Sequence, residues 1–148
     1  MKKSIKKLKQ SEKGVMAIEF AFVFPIVLLF SFGFFEFCRA VFIQNVIDYS
    51  TAQAARFSMI SFDEVSDDAA YVAAKALTIE AYAMDSLDLI DTSKISTLDV
   101  TIGALIVADG TRNVTIEIDY DFATYMPLMT GFTYTITSKS EAFLAQGF

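Results

Sequence analysis

The chemistry open to this chain is limited by its residue types. It has no histidine and one cysteine, so zinc sites and Cys/His nucleophilic sites are effectively excluded. No Gly-rich phosphate-binding loop is present. Carboxylates do cluster in two places: Asp63, Glu64, Asp67 and Asp68, and then Asp85, Asp88 and Asp91. Neither cluster is followed by the Gly and Glu of a calcium loop. We interpret both as solvated charge runs and expect no cofactor, no metal and no enzymatic activity.

Four residues near the N-terminus are better candidates for a functional site, because they interrupt or border an apolar segment. Glu19 lies inside it, where a carboxylate costs about 2.5–3.5 kcal/mol at the bilayer centre and less near the interface. It either reaches the head groups or is protonated, or it meets a cation on another chain or an assembly machine. Pro25 is tolerated in membrane helices, which it loosens or kinks. Glu36 and Arg39, spaced i,i+3, either pair on one helical face or form a solvated helix end.

The apolar segment from Val15 to Phe35 predicts a membrane-spanning helix. Its 21 residues rise about 31 Å as a helix, which matches the hydrocarbon thickness. Eight of the fifteen phenylalanines fall between Phe20 and Phe37. A cleavable signal would be shorter and would end in a small-residue cleavage site, which is absent here. We therefore expect a retained anchor over residues 15–37, in contact with the lipid bilayer.

Charge predicts the orientation of this anchor. Residues 1–14 hold six lysines and one acid, a net charge of +5, whereas residues 15–148 hold six basic and seventeen acidic groups, a net charge of −11. Lysines beside an apolar span stay in the cytoplasm, so we expect a cytoplasmic leader at 1–14 and an extracytoplasmic domain at 38–148. Without clustered Lys and Arg, that acidic domain should not bind nucleic acid.

The remaining sequence predicts an α+β domain. The first helix should continue to about Met59 as a stalk lying against the domain, with a narrow stripe at helical spacing, and Val46 beside it, formed by Ile43, Ile47, Ser50, Ala54 and Phe57. A second helix should start near Ser61 or near Ser66–Asp68 and end near Met84, with Val65, Ala69, Val72, Ala76 and Ile79 on its inner side. A loop over 85–94 is then followed by three runs of alternating residues, at 97–106, 114–122 and 132–137. In the second run the apolar positions are Val114, Ile116, Ile118, Tyr120 and Phe122. Asp109-Gly110 is a turn signal between the first two runs, and residues 126–131 link the last two. These predict an antiparallel three-stranded meander packed on the helices.

Cys38, as a single cysteine, cannot form an intramolecular disulfide. It is either a small apolar residue of the helix or a free thiol available for an intermolecular bridge.

An ordered set of six motifs resembles the TadE family of the tight-adherence (Tad/Flp) pilus system, a group of type IV pilin-like proteins. The motifs are Gly14, Glu19, Phe20-Ala21, Pro25, Glu36-Phe37-Cys38-Arg39 and Ala54-Ala55-Arg56, within residues 13–57. Cys38 stands where Gly is common in the family. Major Flp pilins are much shorter than this chain, so the resemblance is closer to a minor pilin or pseudopilin.

The resemblance implies a pilin-like fold and cleavage between Gly14 and Val15 by a prepilin peptidase. Glu19 would then be the fifth residue of the mature chain and would engage an N-terminal amine during assembly. Pairing would remove the desolvation penalty of the isolated carboxylate. The implied partners are other pilin or pseudopilin subunits and the pilus assembly machinery, at the bacterial inner membrane. The alternative is a generic single-pass membrane protein whose outer domain binds a ligand or partner.

Overall fold

The computed structural model describes residues 2–62, 68–104, 106, 111–125 and 131–145, and describes side chains within these ranges from Gly14 to Leu144. Two α-helices are followed by three strands: α1 (Lys2–Ser61), α2 (Ala69–Asp85), β1 (Ile95–Ile102), β2 (Thr111–Ala123) and β3 (Thr133–Ala145). A short 3-10 turn, Thr92–Lys94, precedes β1. This is the α+β arrangement that the sequence predicted, with a long N-terminal helix, a second helix and a three-stranded meander.

Helix α1 is 60 residues long and continues through Pro25 without interruption, so it extends about 90 Å. Its first half stands away from the rest of the protein, and every described side chain from Gly14 to Phe32 is exposed. Within the described residues, this is the one helix long and apolar enough to cross a membrane, with a mean hydropathy of 2.4 over its most apolar window. Exposed phenylalanines at this density are costly in water, so the segment fits a lipid environment.

The second half of α1 packs against the sheet and α2. The predicted stripe is confirmed at Ile43, Val46, Ile47, Ser50 and Ala54, which are all buried. Phe57 is only half-buried, since its ring stacks on that of Tyr82 at the domain surface. The stripe is also wider than predicted and includes Thr51, Ala55 and Ser58. These small residues let α1 lie close to its neighbours.

Helix α2 begins at the second of the two predicted starts. The Asp68 carboxylate caps it by accepting a hydrogen bond from the Ala70 amide at 3.2 Å, which satisfies one of the free N–H groups of the first turn. Ile79 and Ala83 are buried, whereas Val72 and Ala76 are half-buried and Ala69 is exposed. The inner side is therefore concentrated in the C-terminal part of α2, which lies in one apolar cluster with α1 and the sheet. Val65 lies outside the described residues.

The three strands form an antiparallel sheet in the order β1-β2-β3. Val100 of β1 pairs with Ile116 of β2, and Ile116 pairs with Ser140 of β3. The predicted inner face of the central strand is confirmed by the burial of Val114, Ile116, Ile118, Tyr120 and Phe122. The opposite face is polar and acidic, with Asp99, Glu117, Asp119, Asp121 and Glu141 on it. Thr137 and Thr135 donate hydrogen bonds to Asp119 and Asp121 at 2.6 and 3.0 Å.

The outer strands differ in length from the prediction. Strand β1 ends at Ile102, so Ala104 lies beyond it and Ile106 forms an isolated bridge with Thr111. Strand β3 continues well past Ile136 to Ala145. Its second half escaped prediction because Ser138 occupies an inward position, where it hydrogen-bonds to α1 instead of packing an apolar side chain.

The connections are described only in part. Gly131 has a φ of 90° just before β3, a left-handed conformation that glycine adopts without strain. The predicted loop at 85–94 contains the 3-10 turn, which the Asp91 carboxylate caps through the Ser93 amide at 3.1 Å. The predicted Asp109-Gly110 turn and the Met126–Thr130 link lie outside the described residues.

Candidate functional site

The structure brings Glu36 and Arg39 together on one face of α1, as their spacing allowed. Arg39 donates from Nε and Nη2 to Glu36 Oε2, at 3.1 and 2.9 Å. The two side chains are only 28% and 15% exposed for Arg39 and Glu36 respectively. The pair is thus a partly desolvated ion pair, and the alternative of a solvated helix end does not describe it.

Both members of the pair also bind the end of β2 and the residues after it. Arg39 Nη2 donates to the carbonyl of Ala123. The backbone amide of Tyr125 donates to Glu36 Oε1 at 2.8 Å. We call the set Glu36, Arg39, Phe122, Ala123 and Tyr125 the Glu36–Arg39 clamp. It fastens the sheet to α1 just beyond the apolar segment, through charge-assisted hydrogen bonds that are stronger than neutral ones.

Aromatic rings complete the clamp. The Arg39 guanidinium carbon lies 4.1 Å from the centre of the Phe122 ring and 4.3 Å from that of Tyr125. A planar guanidinium between two rings gains cation–π attraction of about 0.5–1 kcal/mol for each exposed contact and more when it is desolvated. Arg39 is therefore held by charge, by hydrogen bonds and by stacking at once.

A shallow cleft of about 230 Å³ opens beside the clamp, lined by Arg39, Phe42, Ile43, Leu89, Ile90, Asp91, Lys94, Tyr120 and Tyr125. Lys94 donates to the Tyr125 hydroxyl at 3.3 Å. Burial raises the pKa of Tyr120, so this phenol stays neutral at physiological pH. Hydrogen bonds from the Ser93 hydroxyl and amide lower the pKa of Asp91. Among the described residues, no group of three or more His, Cys, Asp or Glu is placed to hold a metal ion.

The predicted site residues Gly14, Val15, Glu19 and Pro25 lie away from the clamp, in the first half of α1. Glu19 precedes Glu36 by about 25 Å of helix. Gly14, Val15 and Glu19 are exposed on the isolated half of α1, and no ion pair between described residues includes Glu19. Pro25 lies within the same half. Cys38 is exposed and has a free thiol. Processing at Gly14 and the assembly roles of Glu19, Pro25, Glu36 and Arg39 remain predictions.

Polar contacts continue the attachment beyond the clamp. Ser138 of β3 donates to Asp48 Oδ1 at 2.6 Å, and its hydroxyl lies 3.0 Å from that of Thr51. On the other side of α1, Ser50 donates to the Ala83 carbonyl of α2 at 2.9 Å. Each contact satisfies a polar group that would otherwise be buried without a partner. The second half of α1 is thus bound to both α2 and β3.

No pattern in the sequence indicated that residues at the end of β2 and after it belong to the clamp. Phe122 was expected as an inward strand residue, but nothing marked Ala123 or Tyr125 as partners of Glu36 and Arg39. A backbone carbonyl and a backbone amide carry no residue-type signal. The one side chain in this part of the clamp that could have drawn attention is Tyr125, an aromatic residue just after β2.

The family model TadE, described as TadE-like protein, matches residues 14–56. No curated protein and no solved structure gives a match. The matched range runs from the exposed start of the apolar half of α1 through the helical side of the clamp. The resemblance predicted from the sequence is thereby confirmed: residues 14–56 form a TadE-like segment, which associates the chain with the Tad pilus system.

Proposed function

We propose that the protein is a minor pilin or pseudopilin that takes part in assembly of a tight-adherence pilus. In this proposal α1 anchors it in the bacterial inner membrane, a prepilin peptidase removes residues 1–14, and the acidic domain faces the periplasm. The role is structural, without catalysis. The partners are other pilin or pseudopilin subunits and the pilus assembly machinery.

The observation that carries the proposal is the continuity of α1. One unbroken helix joins an exposed apolar half, with a lone carboxylate at Glu19, to a domain bound to its other half. Such a helix can pack with equivalent helices in the membrane while the domain is carried outside it. The apolar half also offers a shallow notch at Gly33, lined by Leu29, Phe30 and Phe34. Small residues of this kind let membrane helices approach closely.

The alternative, a membrane-anchored ligand-binding domain, has less support. The cleft beside the clamp is about 230 Å³, below the roughly 300–1,000 Å³ of pockets that enclose small ligands. It also lies against residues that already hold the sheet to α1. This cleft therefore does not favour capture of a small molecule.

Processing is the direct test of the leader. We expect the mature protein to start at Val15, because the basic leader ends at Gly14 and the apolar helix with Glu19 follows. Mass spectrometry of the membrane form should show the loss of residues 1–14. Gly14→Arg should block this loss completely, while Lys13→Arg, which keeps the leader's charge, should be processed. Retention of Met1–Gly14 in a strain with an active prepilin peptidase would contradict the proposal.

Orientation is tested separately. Since the leader is positive and the domain is acidic, we expect the domain to lie outside the cytoplasm. A reporter that is active only in the periplasm, fused after Phe148, should be active, and a cytoplasmic reporter at the same position should be silent. The reverse pattern would show that the orientation is wrong.

A further inference from the structure

Four large side chains stand out from the end of the domain at which the clamp lies. Leu89, Tyr125, Phe132 and Tyr134 are 73%, 69%, 52% and 39% exposed, and we call them the aromatic rim. They come from three separate parts of the chain: the turn after α2, the end of β2 and the start of β3. Exposed apolar side chains that lie together, rather than singly, are typical of contact sites.

The clamp fixes the position of the rim along α1. The Tyr125 amide is bound to Glu36, which immediately follows the apolar run that ends at Phe35. The Phe132 carbonyl accepts a hydrogen bond from the Thr124 amide at 3.1 Å, so Phe132 lies opposite Thr124, which precedes Tyr125 in the chain. Leu89 borders the same cleft as Tyr125 and Arg39. The rim is therefore level with the end of the apolar segment.

We propose that the aromatic rim lies in the head-group layer of the membrane that α1 spans. The inference rests on the proposed membrane anchoring and adds a second lipid contact, made by the domain itself. Tyrosine suits this layer because its ring is apolar and its hydroxyl is polar. Phe35 and Phe37, on either side of Glu36 in the chain, are also exposed on α1 at the same level. A lipid surface covers all of these side chains together.

Charges near the rim indicate what kind of lipid surface it fits. Lys94 lies beside the Tyr125 hydroxyl, but Asp88 and Asp91 are exposed in the same turn. The two carboxylates offset the attraction of the lysine for anionic head groups. Burial of the rings, rather than charge, must then drive the contact. We expect it to form on zwitterionic lipid as well as on anionic lipid.

The chain contains no tryptophan, so a single introduced tryptophan reports its own depth. Phe132→Trp and Leu89→Trp place it on the rim, at two exposed positions that tolerate a larger ring. Phe22→Trp places it in the apolar half of α1. Phe143→Trp places it at the far end of β3, about 36 Å along the strand from Phe132. Each full-length variant is reconstituted at high dilution into phosphatidylcholine vesicles with bromine at shallow or deep acyl positions, and tryptophan quenching is measured.

We expect Phe132→Trp and Leu89→Trp to be quenched several-fold more than Phe143→Trp, by the shallow bromines, with emission shifted to shorter wavelength. Phe22→Trp should be quenched by the deep bromines. If Phe22→Trp is quenched and both rim variants behave like Phe143→Trp, the rim contact is wrong while anchoring stands. If Phe22→Trp is not quenched, the anchoring itself is wrong and the rim contact falls with it. At high dilution, contact with other subunits cannot produce the rim signal.

Discussion

Glu19→Gln is expected to reduce piliation severely while leaving protein level, processing and the fold of the outer domain unchanged. Gln keeps the shape of the side chain but removes its charge. If Glu19 were only a tolerated polar residue, this change would lower the desolvation cost and would help insertion. If Glu19 instead pairs with an N-terminal amine or a partner helix, Gln leaves that cation without its counter-charge, at about 3–5 kcal/mol. Pilus counts by microscopy, read beside an immunoblot of the membrane fraction, measure the effect.

Ser31→Ala is the matched control for Glu19→Gln. Ser31 lies in the same apolar run, and its hydroxyl donates to the Val27 carbonyl of its own helix at 2.9 Å. The Ser31 hydroxyl therefore has its hydrogen-bond acceptor within its own helix and needs no partner chain. Its loss should leave piliation normal. Normal piliation in the Glu19→Gln strain would show that Glu19 is merely tolerated.

Arg39→Ala should lower the free energy of unfolding of the domain. The loss should be larger than for replacement by alanine of any other charged residue at an exposed or half-buried position. Arg39→Ala removes the bonds to Glu36 and Ala123 and the stacking on Phe122 and Tyr125. Charge-assisted hydrogen bonds contribute about 1.5–3 kcal/mol, and we expect a loss of about 2 kcal/mol after allowing for the partial exposure of Arg39. For a domain that spans residues 38–148, this corresponds to a fall in Tm of about 8 °C. Thermal unfolding of the full chain in detergent, followed by near-ultraviolet circular dichroism, measures it.

Two variants sharpen the test of Arg39. Arg39→Lys keeps the charge but not the planar fork, so it should recover only part of the loss. Lys139→Ala breaks a pair with Glu141 that is 3.6 Å long and half exposed on both sides. Exposed pairs contribute little, and its Tm should hardly change. A Tm for Arg39→Ala equal to that of Lys139→Ala would show that the clamp does not stabilise the domain.

The order of the elements could be predicted because periodicity reports burial directly. Ile43 and Ile47 repeat at helical spacing, and Ile116 and Ile118 repeat at strand spacing, so each marks an inner face without knowledge of the fold. The start of α2 could be narrowed to two positions, near Ser61 and near Ser66–Asp68, since capping depends on residues a few positions apart, but the sequence did not decide between them. These patterns depend only on residues that are close together in the chain, so they can be recognised without the structure.

The parts that could not be predicted depend on contacts between distant segments. Ser138 looks like a loop residue, yet it occupies an inward strand position because Asp48 and Thr51 of α1 satisfy it. Arg112 is only 2% exposed, on the inner side of β2, although a sequence pattern assigns arginine to the surface. The clamp is similar, because its β2 side consists largely of backbone groups. Spacing could pair Glu36 with Arg39, but it could not supply the strand that they hold.

Because α1 is unbroken, it also fixes the direction in which the domain faces around the helix axis, relative to the membrane-spanning half. At about 100° per residue, Glu19 and the midpoint of Ile43 and Ile47 in the buried stripe point roughly 100° apart around the helix axis. A neighbour that approaches Glu19 therefore arrives on a side of α1 roughly at right angles to the direction of Ile43 and Ile47. Turning α1 about its own axis would swing the acidic sheet face through the same angle. The face of α1 that contacts a neighbouring helix in the membrane thus determines the direction in which the domain attached to α1 faces.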